Sequence, residues 1–262
     1  MTVSMSPVSP AEVEWRSLTQ AEKSGALRCV PSPVREPVRV SVLSDAHIPH
    51  HSATLLAKAF DVCRGADHIV IIGDWIDAYT VSDFAKDPQR KESLQDEIDL
   101  AVRYLKDLRF QNPNARIDFI EGNHEERLKR YILKRAPAFS GLKEMSIKSL
   151  LKLDELQINH HPRAGFKMYG FRFKHGDYVR SKAGATAHQE MTAHRCSGIS
   201  GHTHRLGKAS ATDKEGFITT WVEVGCLCDI SKADYISAPD WQAGMCQLHI
   251  DNDDLRIEVI EF

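Results

Sequence analysis

Hydrophobic residues in the first half of the chain fall into short continuous runs separated by stripes at helical spacing. The runs at residues 38–43, 68–72 and 116–120 are rich in β-branched and aromatic residues, which predicts buried strands. Apolar residues recur every three or four positions over residues 53–63 and 93–108, which predicts helices. This order predicts successive β-α units and therefore an α/β first half.

The second half of the chain has a different pattern. Helices are predicted over 125–135, 148–156 and 181–193. Strands are predicted between the last two helices, over 157–160 and 171–174. After residue 204, three apolar runs are separated by polar turns, which predicts antiparallel strands. The runs lie at 217–224, 245–250 and 255–260.

The domain organisation follows from where this periodicity begins. Residues 1–37 contain five prolines and little periodicity, so we predict an N-terminal arm that is partly disordered or packed on the domain. Residues 38–262 are predicted to form one domain, because α/β folds of this size often do and a hydrophobic content of 42% can fill one core.

Charge and hydropathy exclude some classes of protein. The formal net charge of −2 gives no global attraction to nucleic acid, so a polyanion would have to be bound by a local patch. No run approaches the roughly 20 apolar residues of a membrane span, and the N-terminus lacks the pattern of a signal peptide. We therefore predict a cytoplasmic protein without a membrane span; oligomeric state is not predicted.

Six cysteines are scattered through mostly apolar segments without a C-x-x-C pair, which favours reduced structural thiols. Cys226 and Cys228 stand one residue apart and could share a face to supply a metal site. No third ligand pattern lies near them in the sequence, so the structural interpretation is preferred.

Acid, amide and imidazole side chains follow several of the predicted strands. Since strand ends in an open α/β sheet converge on one crevice, these clusters are predicted to form one site. His202 and His204 come just after the small-residue run 197–200, and alternate side chains of an extended strand end point the same way. An H-x-H pair alone is weak evidence for metal, because the chain has 13 histidines. The clusters are Asp45-Ala46-His47, Gly73-Asp74, Gly122-Asn123-His124-Glu125, His175-Gly176-Asp177 and Gly201-His202-Thr203-His204.

The order D-x-H, G-D-x-x-D, G-N-H-E, H-G-D, G-H-x-H resembles the calcineurin-like metallophosphoesterase superfamily, over Asp45 to His204. The resemblance implies a four-layer α/β/β/α sandwich of two facing mixed β-sheets, with a metal site at one end. It also implies a metal-dependent phosphoric ester hydrolase. A scaffold that has lost its activity is not expected, because every ligand position of the pattern is kept.

The resemblance implies a ligand set for two divalent cations, with Asp74 bridging them. Asp45, His47 and His204 should bind one cation, and Asn123, His175 and His202 the other. Two cations about 3.5–4 Å apart can supply a bridging hydroxide as nucleophile and neutralise charge on the phosphoryl group. Mixed carboxylate, amide and imidazole ligands favour Mn²⁺, with Fe, Zn²⁺ or Ni²⁺ as alternatives to an all-oxygen Mg²⁺ site.

The resemblance also implies a proton donor. His124 is expected to contact the phosphate and protonate the leaving oxygen. Asp77 is expected to hold His124 by a hydrogen bond that favours the charged imidazole. For Glu125 and Asp177 we prefer a structural role, in which each orients its neighbours or caps a helix.

The substrate class is predicted from the positions at which the motifs of this chain differ from those of the protein phosphatases. Protein phosphatases of the superfamily usually have G-D-x-H-G and an Arg-Gly pair after the second motif, whereas this chain has Ser44 and Ile48 around the first motif and Ala78-Tyr79 after Asp77. The pattern is similar to prokaryotic and phage phosphodiesterases, nucleases and nucleotide-sugar-lipid pyrophosphatases. We predict a phosphodiesterase for a nucleic acid or nucleotide, with a pyrophosphatase or a phosphomonoesterase as the alternatives.

Side chains near the motifs are candidates for binding this substrate. Arg127, Arg130 and Arg205 can contact phosphate, although a solvated helix face explains the first two equally well. Trp75, Tyr79 and Phe84 lie in a long connection and can form a substrate wall or simply pack over the domain.

Overall fold

The computed structural model describes residues 36–232, 240–251 and 254–262. The predicted N-terminal arm therefore lies outside the described residues, apart from positions 36 and 37. Two β-sheets and five α-helices account for most of the described chain. The helices are α1 (Ala53–Cys63), α2 (Leu94–Gln111), α3 (Glu125–Arg135), α4 (Ile147–Leu150) and α5 (Ala185–His194).

Six strands form the first sheet, in the order β11-β10-β1-β2-β3-β4. Strands β1 to β4 are parallel, because each reaches its neighbour through a crossover. Strand β10 pairs antiparallel with β1, and β11 pairs antiparallel with β10. The strands are β1 (Val38–Leu43), β2 (His68–Ile72), β3 (Arg116–Ile120), β4 (Ile158–His161), β10 (Gly244–Asp251) and β11 (Asp254–Glu261).

Five strands form the second sheet, in the order β5-β6-β7-β9-β8. The central strands β6, β7 and β9 are parallel, and β5 and β8 pair antiparallel at the two edges. The strands are β5 (Phe166–Met168), β6 (Phe171–Phe173), β7 (Gly198–Ser200), β8 (Leu206–Thr212) and β9 (Ile218–Val224). Both sheets are therefore mixed.

Alternate residues of the strands divide between two apolar layers. Val40 and Val42 of β1 pack between the sheets with residues such as Val222 of β9. Ile69 and Ile71 of β2 point to the other side, into the cluster formed with α1 and α2. Helix α5 covers the outer face of the second sheet, where the Gly184 and Ala187 N–H groups donate to Glu223 of β9. The predicted four-layer α/β/β/α sandwich is confirmed.

Several element predictions differ from the structure. The helix predicted over 148–156 is the single turn α4, and Lys152 and Gln157 both adopt φ of 53°, outside the helical region. Strand β8 was not predicted, because its sequence lacks the β-branched and aromatic run that marked the others. The pairs formed among the strands after residue 204 are antiparallel as predicted, β8 with β9 and β10 with β11, while β9 also runs parallel to β7.

Among the described residues, no helix has the length and apolar character needed to cross a bilayer.

Candidate metal centre

The carboxyl ends of five parallel strands, three from the first sheet and two from the second, meet at one edge of the sandwich. The predicted site residues stand in the loops directly after these strands, so strands distant in sequence bring them together. Asp45 follows β1, Asp74 follows β2, Asn123 follows β3, His175 follows β6, and His202 and His204 follow β7.

Asp45, His47 and His204 form the first cluster. One donor atom from each lies within 4.8 Å of the others. The Nε2 atoms of His47 and His204 are 2.9 Å apart, and Nε2 of His204 is 3.2 Å from Oδ1 of Asp45. All three side chains are buried, which places a carboxylate and two imidazoles around one point.

Asp74, His175 and His202 form the second cluster, again with donor atoms within 4.8 Å. Nε2 of His175 lies 3.2 Å from Oδ2 of Asp74 and 3.2 Å from Nδ1 of His202. The same nitrogen is 2.9 Å from Oδ1 of Asn123. An amide oxygen therefore joins two imidazoles and a carboxylate.

Asp74 lies between the two clusters. Its Oδ2 atom is 3.8 Å from Nε2 of His47 and 3.2 Å from Nε2 of His175. Its Oδ1 atom accepts a hydrogen bond of 2.9 Å from the backbone N–H of His124. One oxygen thus faces both clusters while the other fixes the side chain.

The donor set fits metal ions. Oδ1 of Asp45 is fully buried and accepts no hydrogen bond, which is costly for a carboxylate unless a cation satisfies it. Ring nitrogens of neighbouring histidines also face each other, at 2.9 Å between His47 and His204 and at 3.2 Å between His175 and His202. Imidazole, carboxylate and amide oxygen are the ligands that first-row transition metals accept together.

The backbone at the site adopts uncommon conformations. Asp45, His47, Asp74, His202 and His204 have φ between 50° and 70°, in the left-handed region that non-glycine residues seldom enter. Such strain clusters at functional sites, where the surrounding structure enforces it.

This backbone corrects the prediction for the H-x-H pair. Strand β7 ends at Ser200, so His202 and His204 do not alternate on an extended strand. Instead, Nδ1 of His202 reaches the second cluster and Nε2 of His204 reaches the first. The two imidazoles serve the two halves of one centre.

Glu125 holds the loop that carries Asp74. Its buried carboxylate accepts four backbone N–H groups: Oε2 accepts from Asp74 and Gly122 at 2.9 and 2.7 Å, and Oε1 accepts from Trp75 and Ile76 at 2.8 and 3.1 Å. A side chain at Gly122 would overlap the Asp74 carboxylate, which explains the glycine there. The structural role preferred for Glu125 is therefore the role its contacts describe.

The charges of the two clusters depend on one another. Burial alone would raise the pKa of Asp45, but the positive charge of His204 beside it holds that pKa well below its usual range. Burial likewise opposes ionisation of Asp74, and the charges of His124 and His175 lower its pKa. Both carboxylates are therefore negative at neutral pH and offer their charge to a cation.

The pKa values of two imidazoles in the second cluster shift in opposite directions. Burial would lower the pKa of His175, yet the Asp74 carboxylate beside it raises that pKa to about 9. For His202, burial and the charge of His175 together lower the pKa to about 4. His202 thus presents a neutral ring, the form that binds metals.

His124 contacts Asp77, as predicted, but its charge state does not follow the prediction. Its Nδ1 atom lies 2.8 Å from the carbonyl oxygen and 3.1 Å from Oδ1 of Asp77. On the other edge of the ring, Arg127 donates to Nε2 at 2.8 Å. The pKa of His124 is lowered, chiefly because burial disfavours the charged ring; the Asp74 and Asp77 carboxylates raise this pKa, and the positive charges of His47 and Arg127 oppose them.

A cavity of about 440 Å³ opens beside the first cluster. Aromatic and cationic side chains form much of its wall, and they contact one another: the Arg127 guanidinium lies 5.6 Å from the Phe84 ring, and that of Arg90 lies 4.3 Å from the Tyr79 ring. The lining residues are His47, His50, Asp77, Tyr79, Phe84, Ala85, Asp87, Arg90, His124, Arg127, His204, Cys228, Asp229 and Trp241.

The predicted substrate wall is present only in part. Tyr79 and Phe84 line the cavity. Trp75 is fully buried in the helical layer, where its indole N–H donates to the Ala101 carbonyl at 3.3 Å. Trp241 lines the cavity and packs 4.1 Å from the His204 ring, but no motif in the sequence marks it.

The three candidate arginines have different surroundings. Arg127 lines the cavity and donates to the Asp77 carbonyl at 2.7 Å. Arg130 donates to the Asn123 carbonyl at 3.2 Å, and Arg205 pairs with Asp240 at 3.2 Å and donates to the Arg180 carbonyl at 2.7 Å. Of these three, Arg127 has the position from which a substrate in the cavity can be reached.

Asp177 lies at the edge of the site and pairs with cations. Its carboxylate contacts Lys174 and lies 3.6 Å from Arg163, and its backbone N–H donates to buried Glu190 at 2.7 Å. These contacts fix the loop after β6, which carries His175, in keeping with the structural role preferred for Asp177.

Comparison with known proteins gives one family. The sequence model of the calcineurin-like phosphoesterase family matches residues 38–206. Gene 54 protein of Mycobacterium phage L5 is 27% identical over 237 residues, which cover 85% of this chain and 92% of that protein. Gene 54 protein of Mycobacterium phage D29 is 27% identical over 239 residues, with the same coverage.

Solved structures were compared in the same way. Vacuolar protein sorting 29 from Cryptosporidium parvum is similar with a TM-score of 0.44 and 12% identity, over 87% of this chain and 98% of that chain. Vps29 from Chaetomium thermophilum is similar with a TM-score of 0.43 and 11% identity, over 84% and 85% of the two chains.

Proposed function

Because this chain belongs to the calcineurin-like phosphoesterase family and is thus a metal-dependent phosphoesterase, we propose that it hydrolyses phosphodiester bonds of a nucleic acid or nucleotide. One observation carries the proposal: the cavity beside the first cluster has aromatic rings and guanidinium groups in its wall. Phosphate and nucleobase are the two chemical groups that such a wall suits.

Two divalent cations are proposed at the centre. Asp45, His47 and His204 would hold one, and Asn123, His175 and His202 the other, with Oδ2 of Asp74 shared. Mn²⁺ is the proposed ion, and Fe, Zn²⁺ or Ni²⁺ would suit the same donors. When bound, such cations neutralise phosphoryl charge and activate water for attack on phosphorus.

His124 is the proposed proton donor to the leaving oxygen. Asp77 occupies Nδ1 of His124 on one side, so Nε2 is the atom that faces the substrate. With Nδ1–H directed at Asp77, donation from Nε2 requires the doubly protonated ring, and the Asp77 carboxylate stabilises that form. Arg127 now donates to Nε2, so its guanidinium would have to turn to a phosphoryl oxygen when Nε2 carries the proton.

The rest of the cavity favours a nucleotide. Tyr79, Phe84 and Trp241 offer ring faces on which a base can stack, and such stacking tolerates any base. Arg90 and Arg127 supply guanidinium groups that can contact phosphate, although the carboxylates of Asp77, Asp87 and Asp229 line the same cavity.

A substrate panel with Mn²⁺ tests the proposal. We expect bis-p-nitrophenyl phosphate to be cleaved faster than p-nitrophenyl phosphate, and DNA or a nucleotide diester to be cleaved as well. Strong preference for the monoester would indicate a phosphomonoesterase, and cleavage of pyrophosphates alone would indicate a pyrophosphatase. Single- and double-stranded DNA should be compared, and an Asp74→Asn preparation controls for contaminating nucleases.

A further inference from the structure

Two buried thiols lie behind the metal centre. Cys226 and Cys228 follow β9, on either side of Leu227, and both are buried. Their sulfur atoms and a ring nitrogen of His204 all lie within 4.8 Å of one another. Sγ of Cys228 is 3.9 Å from Nδ1 of His204. The third ligand that the sequence around the cysteines lacks is thus supplied by the tertiary structure.

These thiols differ from Cys63 and Cys246 in their surroundings. Cys63 and Cys246 are members of the two apolar clusters that fill the sandwich. Cys228 instead faces the His204 imidazole and lines the cavity beside the centre. The Cys226 sulfur lies within 4.8 Å of both donor atoms and donates to the Gln242 carbonyl at 3.7 Å. Apolar packing explains the first pair, whereas the second pair forms a set of donor atoms with His204, and Cys228 borders the cavity.

We propose that Cys226, Cys228 and Nδ1 of His204 form a separate binding site for a thiophilic divalent cation such as Zn²⁺ or Cd²⁺. Two thiolates and an imidazole are the ligands that these cations prefer. The carboxylate, amide and imidazole ligands of the neighbouring clusters select harder ions. Both thiols lose their protons when the cation binds.

The shape of the His204 ring couples this site to the phosphoesterase centre. Nε2 faces Asp45 and His47, whereas Nδ1 faces Cys228. A neutral imidazole has one lone pair and one N–H, so it gives a lone pair to a cation on one side only. A cation at the thiols therefore removes His204 from the first cluster and inhibits hydrolysis. This inhibition rests on the proposed role of His204 in the centre, but the thiol site does not.

Titration of the reduced wild-type protein with Cd²⁺ alone tests the site. We expect a thiolate-to-cadmium charge-transfer band that saturates at one equivalent. Cys226→Ser and Cys228→Ser should each lose it, while Cys63→Ser, whose thiol lies in an apolar cluster, should keep it. A band that is absent from wild type, or unchanged in both variants, would overturn the site.

X-ray absorption at the cadmium edge on the wild-type complex needs no variant, so it decides even if a serine variant fails to fold. Two sulfur neighbours support the site, and a shell of only oxygen and nitrogen contradicts it.

Asp74→Asn distinguishes the two proposals: it should disable the proposed hydrolysis yet keep the cadmium band, because Asp74 is not among the thiol-site ligands.

The coupling between the thiol site and the phosphoesterase centre is measured by the effect of Cd²⁺ on the rate of hydrolysis. With Mn²⁺ in excess, one equivalent of Cd²⁺ should lower the rate roughly tenfold in wild type. In Cys228→Ser, the ratio of rates with and without Cd²⁺ should stay near one. Equal inhibition of the two proteins would show that Cd²⁺ acts at the phosphoesterase centre and would overturn the coupling.

Discussion

The carboxylate of Glu125 binds the backbone of Asp74: Oε2 accepts the Asp74 N–H at 2.9 Å. The same carboxylate accepts three further N–H groups, from residues 75, 76 and 122. A buried carboxylate thereby fixes the loop that carries the one oxygen shared by both ligand clusters. All four of these bonds come from backbone N–H groups, so Glu125 acts on Asp74 through the backbone of the loop.

Glu125→Gln is expected to weaken metal binding about 10–100-fold, the range for residues that support metal ligands. An amide NH₂ group would face backbone donors where the carboxylate accepts, so the loop would have to shift. Isothermal titration with Mn²⁺ measures the effect. Glu155→Gln, on an exposed turn, is the matched control and should bind as wild type does. Wild-type affinity in Glu125→Gln would show that the loop keeps its position without this carboxylate.

Asp74→Asn is expected to deplete both cations and abolish hydrolysis, because the shared negative oxygen offsets two positive ions. Asp45→Ala should chiefly deplete one position and His175→Ala the other. Metal analysis and anomalous diffraction can measure the occupancies separately. Two bound cations and retained activity in Asp74→Asn would contradict the assignment.

His124→Ala is expected to keep both cations and lose roughly 10²–10⁴ in turnover on DNA, the range for removing a positioned acid. The loss should be smaller for bis-p-nitrophenyl phosphate, because p-nitrophenolate leaves readily without a proton. Metal content and both rates should be measured on one preparation. His188→Ala, on an exposed position of α5, is the control. Equal losses on the two substrates, or a missing cation, would argue against the acid role.

Phe84→Ala is expected to raise KM for a nucleotide or single-stranded DNA roughly tenfold, since stacking on one aromatic side chain contributes about 1–3 kcal/mol per base. Phe84 lines the cavity and is 68% exposed. Phe110→Ala is the matched control, because Phe110 is 86% exposed on α2, away from the cavity. The same KM in wild type and Phe84→Ala would remove this ring from the substrate site.

Asp118→Asn is expected to lower the free energy of unfolding by about 3 kcal/mol at pH 7, because it breaks a buried charged network. Asp118 lies 2.6 Å from Arg116, 2.7 Å from His68 and 2.5 Å from His161. Asp107→Asn, on the exposed face of α2, should change the free energy by less than about 0.5 kcal/mol.

The same network predicts how stability depends on pH. Burial would raise the pKa of Asp118, but hydrogen bonds from His161, His68 and Arg116 lower it far below its usual range. The folded protein therefore binds fewer protons here than the unfolded chain, and the contribution is lost as pH falls below the unfolded pKa of about 3.9. Denaturant unfolding of chelated protein should show the gap between wild type and Asp118→Asn narrowing between about pH 5 and pH 3. A constant gap would contradict the shift.

The amino-acid sequence by itself determined the local features of this protein. Runs such as 68–72 predicted strands because burial on both faces selects β-branched residues throughout the run. The polar segments after these runs identified the residues that the structure brings together, since parallel strands end at one edge. The motif order was sufficient to indicate the family, because the chemistry of each segment is carried by adjacent residues.

Only the tertiary structure decided the relationships between segments. The low pKa of His124 depends on its burial and on the fold of α3, which brings Arg127 to Nε2. The meeting of His204 with Cys228, and of Trp241 with the cavity, depends on how β9 and the segment before β10 return to the site. Sequence patterns report periodicity and local burial, whereas these contacts join side chains whose separation is set by sheet pairing and loop geometry.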